Sequence, residues 1–126
     1  MLTKIATNKA PAAIGPYSQG ILANGMLFAS GQTATLETPS TRLTARSTCA
    51  EQAEQVMKNI GEILKEAGTD YEKVVKTTCF LAEMSDFADF NSVYEKYFTG
   101  KPARSCVAVK QLPKDVLCEV EVIALV

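Results

Sequence analysis

Residues 116–126, VLCEVEVIALV, constrain the fold more than any other stretch of the chain. Side chains alternate between the two faces of a strand, so Val120, Val122, Ala124 and Val126 share one face. Ile123 and Leu125 lie on the other, in line with Glu119 and Glu121. A strand that is apolar on both faces needs both faces covered. The rest of the chain offers two helical stretches, enough for one side of a sheet. The other side is expected to pack against a second copy of the chain, which predicts a homo-oligomer.

Upstream, strand and helix signals follow one another. Residues 2–6 read as a short strand, and Pro11 and Gly15-Pro16-Tyr17 break the chain into a loop. Residues 20–23 and 26–30 flank Asn24-Gly25, a two-residue hairpin signal, because both central positions of a type I′ turn need positive φ. The return strand ends at Ser30-Gly31-Gln32, where backbone N–H groups are open to a ligand beside a residue without a side chain. A strand-ending glycine more often only makes a turn. Residues 33–47 are polar, rich in threonine, and read as a loop.

Thr48 and Glu51 fit a capping box. Ala53, Val56, Ile60, Ile63, Leu64 and Ala67 then recur at helical spacing until Gly68 stops the helix. Residues 74–82, VVKTTCFLA, are β-branched and aromatic and read as a strand. Asp86 and Asp89 are expected to open a second helix, with Phe87, Phe90, Tyr94 and Tyr97 on its apolar stripe and Gly100 closing it. Asn91 falls on a different part of that helix, as a solvated side chain or a pocket donor. The order β-β-β-α-β-α-β-β is that of an α+β fold: a single-layer mixed sheet with two helices on one face, in one domain over residues 1–126.

The chemistry-bearing side chains fall in residues 101–121, KPARSCVAVKQLPKDVLCEVE. Pro102 stops any helix, and residues 103–109 read as a strand. A four-residue connection at 111–114 would make a hairpin with Cys106 opposite Glu119 and Arg104 opposite Glu121. A guanidinium, a thiol and carboxylates would then share one face. The same residues also fit plainer roles. Arg104 could pair with Glu121, Glu119 could be a satisfied structural carboxylate, Cys106 a small core residue, and Tyr17 could pack over its own loop.

Composition excludes several chemistries. The chain has no histidine, which removes Ser–His and Cys–His pairs, the common zinc sites and imidazole as a base. Thirteen basic residues against fourteen acidic ones give no general attraction to nucleic acid or to an anionic membrane. Four separated cysteines without a C-x-x-C pair, and no visible signal peptide, read as reduced thiols of a cytoplasmic protein. No apolar run reaches membrane-spanning length.

Several segments, in order, resemble the RidA (YjgF-type) enamine/imine deaminase family. They are residues 13–20 (AIGPYSQG), 28–32 (FASGQ), 76–81 (KTTCFL), 90–95 (FNSVYE), 102–107 (PARSCV) and 112–116 (LPKDV). The resemblance implies a chorismate-mutase-like fold, a homotrimer with pockets between subunits, and a small imino or keto acid as the molecule bound. It implies cofactor-independent, metal-free hydrolysis of 2-enamine and 2-imino acids, such as 2-aminoacrylate and 2-iminopropionate, to 2-keto acids and ammonia. On that resemblance Arg104 binds the substrate carboxylate and Glu119 serves the catalytic water. Tyr17, Ser30, Gly31, Asn91 and Cys106 match pocket positions. Residues 35–46, TLETPSTRLTAR, depart from the family's usual turn. A ligand-sensing protein with the same pocket is the alternative, and an RNA-cleaving, translation-inhibiting protein is a further one.

Overall fold

The computed structural model describes residues 2–35, 43–44 and 47–126. Strands β1 (Thr3–Ile5), β2 (Gly20–Ala23) and β3 (Met26–Ala29) come first. Helix α1 (Cys49–Ala67), strand β4 (Val74–Leu81) and helix α2 (Phe87–Tyr97) follow, then strands β5 (Ala103–Ala108) and β6 (Cys118–Leu125). The expected order holds, with short 3₁₀ turns at Tyr71–Lys73, Met84–Asp86 and Pro113–Asp115.

Local chemistry explains most of the boundaries. Asn24 and Gly25 have φ of 51° and 73°, as the primed hairpin turn between β2 and β3 demands. Thr48 Oγ1 accepts from the Glu51 N–H at 3.2 Å and Glu51 Oε1 accepts from the Thr48 N–H at 2.8 Å, closing the capping box of α1. Gly68, at φ 83°, ends that helix in the left-handed conformation. Helix α2 differs from expectation at both ends. Asp86 makes no side-chain capping bond, and a 3₁₀ turn leads into the helix instead. The left-handed residue after it is Lys101, at φ 53°, and not Gly100. The sequence departure at residues 35–46 falls mostly outside the described residues.

The six strands form one mixed sheet in the order β1-β2-β3-β6-β4-β5. All pairs are antiparallel except β4 with β5. This overturns the expected β5–β6 hairpin. Strand β5 runs parallel to β4 at the sheet edge, with Thr77 beside Arg104 and Cys79 beside Cys106, while β6 lies between β3 and β4. The reason is the helix between β4 and β5: a strand–helix–strand unit returns in the same direction and docks beside its own first strand. The doubly apolar β6 takes a central slot and the more polar β5 is left at the rim.

Both helices cover one face. Leu27, Val120, Val122 and Ala124 on the sheet and Val56, Ile60, Ile63 and Phe90 on the helices are essentially inaccessible to water. Burying each such side chain contributes about 1.5–3 kcal/mol. On the opposite face, Phe28, Val107 and Leu125 remain between 44% and 49% exposed, an apolar surface that none of the described residues covers.

Candidate active site

Two clusters carry the residues singled out from sequence, and they lie on opposite faces of the sheet. Arg104 shares a row with Thr77 and Val122, both buried beneath the helices. Glu119 shares a row with Phe80 on β4, one residue out of phase with the Thr77 row, so it projects from the uncovered face. Arg104 and Glu119 are therefore not joined within one protomer. Nor does Arg104 pair with Glu121, which stands beside Thr78 on the uncovered face.

The first cluster sits at the open edge of β5. Arg104 Nη1 donates to Asn91 Oδ1 at 2.6 Å. Its guanidinium carbon lies 4.7 Å from the Tyr94 ring centre and 5.4 Å from that of Phe87. Residues 87, 91 and 94 are four and three apart, so α2 presents all three on one face. Asn91 is thus not on a separate part of the helix; it works with the aromatic stripe. Cys106 follows on the same face of β5, half-buried, its thiol pushed up by burial and partly restored by the Arg104 charge. Val109 N–H donates to Leu81 O at 2.9 Å. By strand alternation the N–H groups of Ser105 and Val107 also face β4, while those of Arg104 and Cys106 point out from the sheet edge.

The second cluster surrounds Glu119. Register slips by one residue between the Phe28–Ile123 pair and the Gln32–Val120 bridge, so Ser30-Gly31 forms a bulge opposite Glu121. The Glu119 carboxylate lies directly on Gly31: a Cβ there would overlap Oε2 and stand 2.9 Å from Cδ. Burial, and secondarily the charge of Glu121, raise the Glu119 pKa above the ordinary carboxylate value. The Ser30 and Gln32 N–H groups bond to the carbonyls of Gln19 and Val120 at 2.9 and 2.8 Å. That leaves the Gly31 N–H, of the three expected at this edge.

Tyr17 is half exposed and belongs to the loop docked on the second cluster. Ser30 Oγ donates to Ser18 O at 2.5 Å. Gln19, buried, accepts from Thr7 N–H at 2.6 Å and donates to the carbonyls of Thr7 and Pro11 at 3.1 and 2.7 Å. That glutamine fastens the loop, a role the sequence pattern did not signal. Phe87 and Tyr94 were legible only as core; their spacing from Asn91 was the available clue. A cavity of about 950 Å³ opens between the N-terminal segment and α1, lined by Lys4, Tyr17, Glu62 and Lys65 among others. Neither Arg104 nor Glu119 lines it, and the candidate site is taken from the two clusters of polar side chains.

A family model described as Endoribonuclease L-PSP matches residues 7–126, a span that includes every residue named in the two clusters. The chain belongs to that family, the YjgF/RidA family. It is 54% identical over 121 residues to a Lactococcus lactis protein named as a regulator, AldR, covering 95% of this chain and 94% of that one. It is 47% identical over 121 residues to the 2-iminobutanoate/2-iminopropanoate deaminase of Rattus norvegicus, covering 95% and 87%. Among solved YjgF/RidA structures, E. coli TdcF, crystallised with bound serine, superposes with a TM-score of 0.89 at 38% identity, covering 98% of both chains. The α+β architecture with one mixed sheet and two helices is thus that of the family.

Proposed function

We propose that this chain is a RidA-type deaminase that hydrolyses 2-enamine and 2-imino acids to 2-keto acids and ammonia, acting as a homotrimer with its sites between subunits. The carrying observation is the state of Arg104. Its half-buried guanidinium is held by Asn91 and two aromatic rings, yet no carboxylate among the described residues pairs with it. A desolvated cation without a counter-charge is costly, and a ligand carboxylate supplies that charge. The relatives named as deaminases support the reading, as does the bound serine of TdcF, an amino acid with the same carboxylate handle.

The chemistry follows from the two clusters brought together by a neighbouring copy. Arg104 takes the substrate carboxylate through its planar fork, with the outward N–H of Cys106 beside it. Protonated at nitrogen, the C=N carbon is attacked by water, whose proton passes to the Glu119 carboxylate. Glu119 then returns that proton to the nitrogen, the C–N bond breaks as the hydroxyl oxygen forms the C=O bond, and the hydroxyl proton goes to the departing ammonia, which leaves as ammonium. Acid–base help of this kind supplies ~10²–10⁴-fold, enough for a substrate already electrophilic. Tyr17 closes the cavity and Gly31 leaves room for Glu119.

The apolar face bearing Phe28, Val107 and Leu125 is the contact surface in this assembly. The test generates the imine in situ with an amino-acid oxidase and follows keto-acid release by wild type, Arg104→Ala and Glu119→Gln. Turnover surviving in Arg104→Ala would end the proposal. The regulator name of the Lactococcus relative favours a second reading, a sensor of keto or imino acids. Tight binding of pyruvate without imine turnover would select it.

A further inference from the structure

We propose that Tyr94 is a positioning residue, whose ring fixes the plane of the Arg104 guanidinium so that its free N–H edge meets an in-plane monocarboxylate. This rests on the deaminase reading for its substrate but not for its geometry. Arginine side chains carry substantial rotamer freedom, and Arg104 rises from an edge strand, where few neighbours restrain it. Asn91 anchors one nitrogen, at 2.6 Å, and the Phe87 ring stands farther off, 5.4 Å from the guanidinium carbon, so rotation about that bond is only loosely restrained by these two. The Tyr94 ring, 4.7 Å from the guanidinium carbon, removes that rotation.

The ring is itself pinned. Tyr94 is buried, and its hydroxyl meets Thr77 Oγ1 at 2.7 Å. Thr77 is wholly inaccessible and stands in register beside Arg104 on the neighbouring strand. The tyrosine thus reaches from α2 to the strand next to the arginine and sets its ring beneath the guanidinium carbon. The Tyr94 and Thr77 hydroxyls, the latter also accepting from the Cys79 thiol at 3.9 Å, add little net stability, since buried hydrogen bonds largely replace those made to water. Their evident effect is to hold the ring at one angle. Phe90 and Phe98 pack against Tyr94 at ring separations of 5.9 and 4.7 Å and limit its movement further.

The test compares wild type, Tyr94→Met, Tyr94→Leu and Tyr94→Phe in thermal unfolding, in KM and kcat for in-situ 2-iminopropionate, and in pyruvate Kd by calorimetry. Loss of the ring face is expected to raise KM and Kd ~5–30-fold in the Met and Leu variants, the scale of a partly desolvated cation–π contact. Turnover at saturation should change much less, and Tyr94→Phe, which keeps the face, should recover most of the loss. Met fills a similar volume flexibly and serves if the Leu variant does not fold. Unchanged Kd and KM in a folded Met or Leu variant, or equal losses in Phe and Met, overturn the proposal. A wild type that binds pyruvate but releases no keto acid sinks the deaminase reading alone, and the Kd series then decides this one. A wild type that does neither removes both.

Discussion

Gly31→Ala separates catalysis from stability at a single atom. The added Cβ would overlap Glu119 Oε2 and sit 2.9 Å from Cδ and 3.1 Å from Cγ. Carbon atoms rest at about 3.5–4.0 Å, so the carboxylate must retreat by roughly 0.6–1 Å. A misplacement of that size at the reacting centre costs on the order of 10²-fold, or about 2.7 kcal/mol of barrier. The fold should tolerate it. The obstructing atoms are the far end of a flexible, half-buried side chain, and an off-rotamer glutamate costs only about 0.5–1.5 kcal/mol. The backbone raises no objection either, because the left-handed glycines are Gly25 and Gly68. In the coupled imine assay, kcat should fall about 10²-fold while KM, set by Arg104 in the other cluster, stays near wild type. Wild-type kcat in the variant, or a loss confined to KM, would refute the placement of Glu119 at the water.

Other substitutions test the remaining links. Arg104→Ala should lower kcat/KM at least ~10²-fold, from two charge-assisted hydrogen bonds at about 1.5–3 kcal/mol each; an equal loss with imines that lack the carboxylate would contradict carboxylate binding. Glu119 must be ionised to accept a proton from water, and its pKa is raised, so kcat/KM should fall as pH drops through a value above the ordinary carboxylate range. Glu121→Gln removes the secondary cause and should move that acid limb to lower pH, with burial keeping it above the ordinary value. Phe28→Asp, on the uncovered face, should break the proposed trimer into monomers in sedimentation and abolish turnover without unfolding the protomer. Thr48→Ala should cost about 1 kcal/mol of stability through the lost cap and leave kcat unchanged.

The legibility of this chain followed the range of the interactions. Asn24-Gly25, Thr48 with Glu51 and Gly68 act within four residues, and each performs its expected role. The second apolar face of β6 continues the surface at Phe28, Val107 and Leu125 that the described residues leave exposed, where the expected homo-oligomer would form. The partner of β5 was misjudged because adjacency in sequence suggested a hairpin, whereas the strand–helix–strand order of residues 74–108 already called for a parallel return. That single error placed Arg104 and Glu119 on one face. Strand parity was right within each strand, but the faces of two strands can be compared only once their neighbours are known. The part of Phe87 and Tyr94 at Arg104 was hidden for a different reason: an aromatic residue that packs a core and one that also steers a cation have the same spacing.

Placing the guanidinium and the carboxylate on opposite faces has a genetic consequence in the proposed trimer. Each cavity there takes Arg104 from one copy and Glu119 from the next. Around a ring of three, any mixture of Arg104→Ala and Glu119→Gln chains holds one junction where both intact groups meet, so two inactive alleles expressed together should restore about one third of the working cavities in each mixed particle. Inactivity would belong to the junction and not to the polypeptide, and an extract of cells expressing both variants would turn over imine where neither variant alone does.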